Sequence, residues 1–206
     1  MANLKNEILQ YATDHMQEVG IRSLSVDDIC AAIGCSKKTF YVYFPSKDDL
    51  IEAILITGEQ QIEEKVQDLV NNRSVTQCIV DWNNIARASH DTKQTPPFLY
   101  DLQKYYPNIH KNHQKRLQSI MQALMAQFLD KGKSEGIFRM EIDTAITAML
   151  FVNVHMGIMA YTQLGELRMS EPHAYSRQSM DIHLRGISTP EGFNTLEKEV
   201  NNQKVQ

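Results

Sequence analysis

Three cysteines, Cys30, Cys35 and Cys78, are too few and too irregularly spaced for a disulfide framework or a structural zinc site. They read as reduced cytosolic thiols, one in a core and one in a turn near the amino terminus. Recognisable catalytic patterns are also missing. The chain has no Gly-rich phosphate loop, no nucleophile elbow and no zinc-protease motif, so it is not expected to be an enzyme. His110 and His113 stand three apart, but no neighbouring carboxylate or cysteine completes a metal site, so they read as a solvated helix face. No cofactor and no metal are expected. Polar Lys5, Asn6 and Glu7 interrupt any apolar run at the start, which speaks against a cleavable signal. No repeat and no alternating strand pattern is found. Positive charge is scarce as well: the formal net charge is −4 over 206 residues. That balance excludes a protein that coats nucleic acid in bulk.

What is present is helical periodicity with clear punctuation. Leu4, Ile8, Ala12, Met16 and Val19 mark one face of a helix over 2–19, which Gly20 ends. Next comes the stretch around which the chain is organised, residues 25–47. Ser25 precedes the apolar positions Val26, Ile29, Cys30 and Ile33, as an N-cap does, and Asp28 is placed as its capping-box partner. Gly34 closes that helix because glycine takes a left-handed backbone without a steric penalty. Ser36 caps a second short helix from Lys37 to about Tyr43, and Pro45 stops it. Two short helices joined by a tight turn containing Gly form a helix-turn-helix unit, whose second helix enters a DNA major groove. From Gly34 to Lys47 there are three lysines and no acid. Lysines neutralise phosphates, and the hydroxyls of Thr39, Tyr41 and Tyr43 can position a backbone. Phe40 and Phe44 share the opposite face and should anchor the helix. The basic character is local, because residues 1–50 carry five basic residues against seven acidic ones.

The run from Ala31 to Leu50, AAIGCSKKTFYVYFPSKDDL, resembles the DNA-binding signature of the tetracycline-repressor (TetR) family. The match is strict over about 25 residues and extends, with the flanking helices, over roughly the first 55. Val42 departs from the pattern, where an aromatic is often found. The resemblance implies that Ser25, Tyr43 and Lys47 contact phosphates. It also implies that Lys37, Lys38, Thr39 and Tyr41, carried on the helix capped by Ser36, face the groove or its rim.

The rest of the chain resembles the family only in size and helical texture. Ser46 opens a long helix, with Thr57-Gly58 a possible soft point, that ends at Asn71-Asn72. Further helices are expected over about 75–90, 98–106, 109–131, 144–165 and 172–187, with prolines in the loop at 91–97 and a break at Pro107. The segment Thr144–Gly165 has no charged residue and is long enough to span a bilayer, yet Asn153, His155 and Gln163 suit a core or a subunit interface better. A loop over 164–170 should set the last two helices antiparallel. The expected architecture is all-α with about nine helices: a three-helix head over 1–46, a ligand-binding and dimerisation bundle over 47–188, and a frayed polar tail over 189–206. Trp82, Phe98, Tyr105, Met121, Met125, Asn153, His155 and Met159 are the candidate lining of a small-molecule pocket in the bundle. The expected protein is a cytoplasmic, homodimeric transcriptional regulator. It would repress from a palindromic double-stranded DNA operator, respond to a small-molecule effector and have no membrane role. The alternative is a small-molecule-binding helical protein or enzyme with a vestigial head.

Overall fold

The computed structural model describes residues 2–88, 96–163 and 173–202. The described residues form ten α-helices: α1 (Ala2–Val19), α2 (Val26–Ile33), α3 (Lys37–Tyr43), α4 (Lys47–Asn72), α5 (Val75–Ala88), α6 (Pro97–Tyr105), α7 (Pro107–Ser134), α8 (Thr144–Gln163), α9 (His173–Ile187) and α10 (Pro190–Asn202). The one extended pairing among them is an isolated antiparallel bridge between Phe138 and Ser188. The expected 164–170 loop lies outside the described residues.

The chain forms two compact units. The first comprises residues 1–62 and 94–117, the second residues 63–93 and 118–206, so α4 and α7 each contribute to both. In the first unit α1 packs on α2 and α6, and α2 packs on α3. The periodic face read from the sequence supplies its centre: Ile8, Ala12 and Met16 of α1 are fully buried against Ile29, Phe40, Phe44, Leu50 and Ile51. Leu102 of α6 is also fully buried there. Burying apolar side chains of this size contributes roughly 1.5–3 kcal/mol each before the entropy of ordering them is subtracted.

The second unit has its own core of Val75, Ile79, Leu129, Phe138, Ala148 and Leu196. Here one expectation needs correction. Residues 190–202, read as a frayed tail, form α10, which packs on α5. Pro190 opens the helix at a position where proline costs nothing. Thr189 Oγ1 accepts the Gly192 N–H at 2.9 Å, so the helix is capped. Gly192 has no side chain because a Cβ there would collide with the Ile137 backbone. Hydrogen bonds from Arg139 N to Ile187 O (2.8 Å) and from Thr189 N to Ile137 O (2.9 Å) fix the same junction. α4 runs unbroken through Thr57 and Gly58, with Thr57 Oγ1 donating to Ala53 O at 2.9 Å. No helix among the described residues is long and apolar enough to cross a membrane.

Candidate nucleic-acid interface

The turn between α2 and α3 is built from short-range polar devices. Ser25 Oγ accepts the Asp28 N–H at 3.2 Å, and Asp28 Oδ2 accepts the Ser25 N–H at 2.9 Å, which completes the expected capping box. The hydrogen bonds from Ser25 hold the Asp28 carboxyl below its usual pKa. Gly34 ends α2 at φ 73°, ψ 32°, and the next amide, Cys35 N–H, bonds back to Cys30 O at 3.0 Å. Ser36 then caps α3, accepting the Thr39 N–H at 3.0 Å. Ser46 repeats the device at α4, accepting the Asp49 N–H at 3.1 Å. Phe40 and Phe44 are buried as expected and tie α3 to the core.

The other face of α3 is open. Lys37, Lys38 and Tyr41 are exposed, while Thr39 and Tyr43 are half-buried. Thr39 Oγ1 lies 2.8 Å from Ser36 Oγ. Two features of this face are not legible in the sequence. Lys37 Nζ pairs with Asp27 Oδ1 of α2 at 2.6 Å, so the acid-free stretch has an acid beside it in space. Both partners are well exposed, and such pairs contribute little. Val42 is 73% exposed, the most exposed of the large apolar side chains in the described residues. Its apolar character, a departure from the family pattern, sits on the open surface.

Lys47 is placed differently from its neighbours. Its ammonium donates to the carbonyls of Ile21 (2.6 Å) and Leu24 (2.5 Å), closing the connection between α1 and α2. Burial pulls its pKa down, while Asp101, Asp28 and Asp48 act in the opposite sense. Two of its three donors are thus occupied within the first unit.

A buried ionic cluster braces the same unit. Glu59 of α4, 4% exposed, accepts from His113 Nδ1 at 2.6 Å and from Arg116 Nε at 2.9 Å, and Arg116 also reaches Glu52 at 2.9 Å. Burial alone would raise the Glu59 pKa, but the hydrogen bonds from Arg116 and His113 outweigh it and the carboxyl ends below its ordinary value. His113 is therefore half-buried in an ion-pair cluster, not on the solvated face expected. Among the described residues no group of three or more His, Cys, Asp or Glu side chains could hold a metal.

The second unit contains a cavity of about 160 Å³. Of the eight side chains expected around a pocket, it gathers Met121, Met125 and His155. It does not gather the others that are described. Phe98 packs on the core of the first unit, and Tyr105 is 40% exposed with Arg22 over its ring at 4.3 Å. Asn153 is exposed and accepts from Gln118 Nε2 at 2.7 Å. The side chains of Trp82 and Met159 lie outside the described residues. Thr147, Phe151, Met156, Met180 and His183 line the cavity and were not anticipated. Because α8 is apolar all round, no periodic signal told which of its faces would turn inward.

A capped two-helix turn, its second helix anchored by two phenylalanines and open on its lysine-bearing side, defines a helix-turn-helix DNA-binding protein. The family model described as "Bacterial regulatory proteins, tetR family" matches residues 8–54. That match spans the helix-turn-helix head, which is therefore of the type found in TetR-family DNA-binding transcriptional regulators. The chain is 36% identical over 53 residues to the HTH-type transcriptional regulator YvaF of Bacillus subtilis, a match covering 26% of this chain and 28% of that one. It is 21% identical over 179 residues to the regulator UidR of Escherichia coli K12, covering 85% of this chain and 90% of that one. A TetR-family regulator from Agrobacterium tumefaciens has the same fold, with a TM-score of 0.60 at 16% identity over 91% of this chain and 99% of that one.

Proposed function

We propose that the protein is a homodimeric, effector-responsive repressor, working in the cytoplasm and without enzymatic activity, that binds a palindromic operator through α3. The observation that carries this reading is the open face of α3, with Lys37, Lys38 and Tyr41 exposed on a helix fixed by Ser36, Phe40 and Phe44. Lys37, Lys38, Tyr43 and the cap residues Ser25 and Ser36 contact phosphates. Thr39, Tyr41 and Val42 reach base edges, Val42 offering apolar contact to a thymine methyl. Lys47 acts with its remaining N–H, placed by the two carbonyls that hold it. The functional boundary falls at 46/47, where α4 begins. α4 starts at Lys47 and supplies Val66, Leu69 and Val70 to the cavity, so one continuous helix carries both a DNA-facing residue and effector-facing ones.

The dimer reading rests on α8 and α9, which pack on each other yet leave Ile146, Leu150, Tyr175 and Ile182 between 49% and 60% exposed. A second copy covers these residues. Two copies of α3 then meet half-sites about 34–36 Å apart. Selection of random duplex DNA on the purified protein tests the proposal, with the Lys37→Ala/Lys38→Ala double variant as control. Wild type should enrich a palindrome and the folded variant should not. No enrichment by wild type, or the same motif from both, would refute the assignment. Sedimentation of the full chain should give a dimer, and a monomer at micromolar concentration would remove the palindrome with it.

A further inference from the structure

The turn that ends α2 brings two thiols together. Cys30 stands in the last turn of that helix, and its carbonyl accepts both the Gly34 N–H and, at 3.0 Å, the Cys35 N–H. Gly34 takes the left-handed conformation, φ 73°. In a helix ending of this kind the side chains at the two ends of the closed loop meet, usually as an apolar contact. Here both are cysteines, and neither is in a disulfide. Cys30 is 6% exposed within the core of the first unit, and half-buried Cys35 packs on that core. Burial, and then the hydrogen bond between the two thiols, push the Cys30 thiol above its ordinary pKa. The third cysteine, Cys78, belongs to the second unit and directs its thiol to Leu69 O at 3.4 Å.

We infer that Cys30 and Cys35 form a dithiol site that hydrogen peroxide oxidises to a disulfide across the turn between α2 and α3, and that this disulfide weakens operator binding. The effect on DNA rests on the reading of α3 as the operator-binding helix; the site itself does not. Access assigns the roles. Cys35 reaches solvent, so its thiolate attacks the peroxide. The O–O bond breaks, one oxygen stays on Cys35 as a sulfenic acid, and the other leaves as water with the Cys35 proton. The Cys30 sulfur then attacks the Cys35 sulfur. The S–S bond forms, and the sulfenic oxygen leaves as a second water with the Cys30 proton. Two electrons pass from the thiols to one peroxide.

The turn bears the consequence. Two sulfurs in hydrogen-bond contact must close to about 2.05 Å. Cys30 is held in the core, so Cys35 yields, and the next residue, Ser36, is the cap of α3. Drawing Cys35 inward loosens that cap at the end of the helix that carries Lys37 and Lys38.

Peptide mapping of the full-length protein tests the site. Trypsin cuts after Arg22 and Lys37, so one peptide, residues 23–37, holds Cys30 and Cys35 without Cys78. The protein is treated with hydrogen peroxide, its remaining thiols are blocked with iodoacetamide, and it is digested. The peptide should appear two hydrogens lighter and unalkylated, and dithiothreitol should reverse this. Affinity for the selected duplex should fall at least about fivefold, the low end of a typical coupling between sites. It should return with dithiothreitol, which separates the disulfide from methionine sulfoxide, since that product needs its own reductase. Cys35→Ser should bind duplex equally with and without peroxide, and Cys35→Ala replaces it if the serine variant loses helicity. A 23–37 peptide that keeps both thiols open to alkylation, or a dithiothreitol-reversible loss of affinity that survives the folded Cys35 variant, overturns the inference. A disulfide with unchanged duplex affinity keeps the site and overturns its effect on DNA. Reduced protein that binds no duplex removes the operator reading alone, and the peptide still decides the site.

Discussion

The helix-turn-helix head and the wall of the cavity in the second unit are held by different means. In the first, α2, α3 and α4 each start on an explicit polar device. Ser25 with Asp28, Ser36 with Thr39, and Ser46 with Asp49 are three uses of the same spacing. Lys47 ties two carbonyls, and the Glu59–Arg116–His113 cluster braces α4 on α7. In the second unit the wall around the cavity is held by side-chain packing, much of it methionine, which tolerates rearrangement. A reader of DNA must present donors to within a fraction of an ångström, whereas a receiver of small molecules must accommodate. On the function proposed above, the contrast suits a division between reading DNA and receiving a small molecule.

Substitution series should expose the contrast directly. The largest effect is expected from Phe40→Ala, which empties a fully buried site in the reading unit and should cost about 3–5 kcal/mol in urea denaturation. Met125→Leu in the wall of the cavity should cost less than about 1.5 kcal/mol. Similar losses at the two positions would erase the distinction. Next, Glu59→Gln should lose about 1–3 kcal/mol at neutral pH, because Arg116 and His113 keep their places with a poorer acceptor. The folded pKa of Glu59 is depressed, so its stabilising share is present above the ordinary value of 4.5 and disappears as pH falls through the lower folded value. Melting curves of wild type and variant should therefore converge below that pH. A gap that persists there would mean that packing, not charge, holds the cluster.

Ser36→Ala should cost about 1 kcal/mol by loss of a cap, with a matching drop in DNA affinity because α3 frays where it meets the groove. A change in stability alone would detach the cap from the reading surface. The smallest effect on stability is expected from Lys38→Ala, within about 0.5 kcal/mol as for other exposed sites. It should nevertheless reduce the salt slope of DNA binding by about one per phosphate contact removed. Lys47→Ala should do the reverse, destabilising the first unit before it alters the salt slope.

Much of the first unit was legible before any coordinates, since its signals are local. An N-cap serine, an acid three residues on and a glycine at the C-cap act within one turn of chain. The same locality explains what was missed. Glu59 and Arg116 are far apart in sequence, so nothing near either residue announced a buried pair. Asp27 reaches Lys37 from a different helix, and only the fold brings them together. For Lys47 the resemblance implies only a phosphate contact, and its two carbonyl partners lie on the connection after α1, far from it in sequence. In the second unit residues 189–206 read as a frayed polar tail, yet Pro190 starts α10 and Gly192 permits its close approach to Ile137. The uniform apolarity of α8 did not mark its inward face, and of the two polar side chains singled out there, His155 lies on the cavity wall while Asn153 is exposed and bonds Gln118.

The central claim is that α3 lies in the major groove with Lys37, Lys38 and Thr39 toward the DNA. Methylation interference on the selected duplex tests it most directly, because a methyl group on guanine N7 occupies the major groove alone. The account predicts interference in two patches about 10–10.5 base pairs apart, centre to centre, and weaker competition from the Lys37→Ala/Lys38→Ala variant. Binding indifferent to N7 methylation throughout the selected site would contradict it.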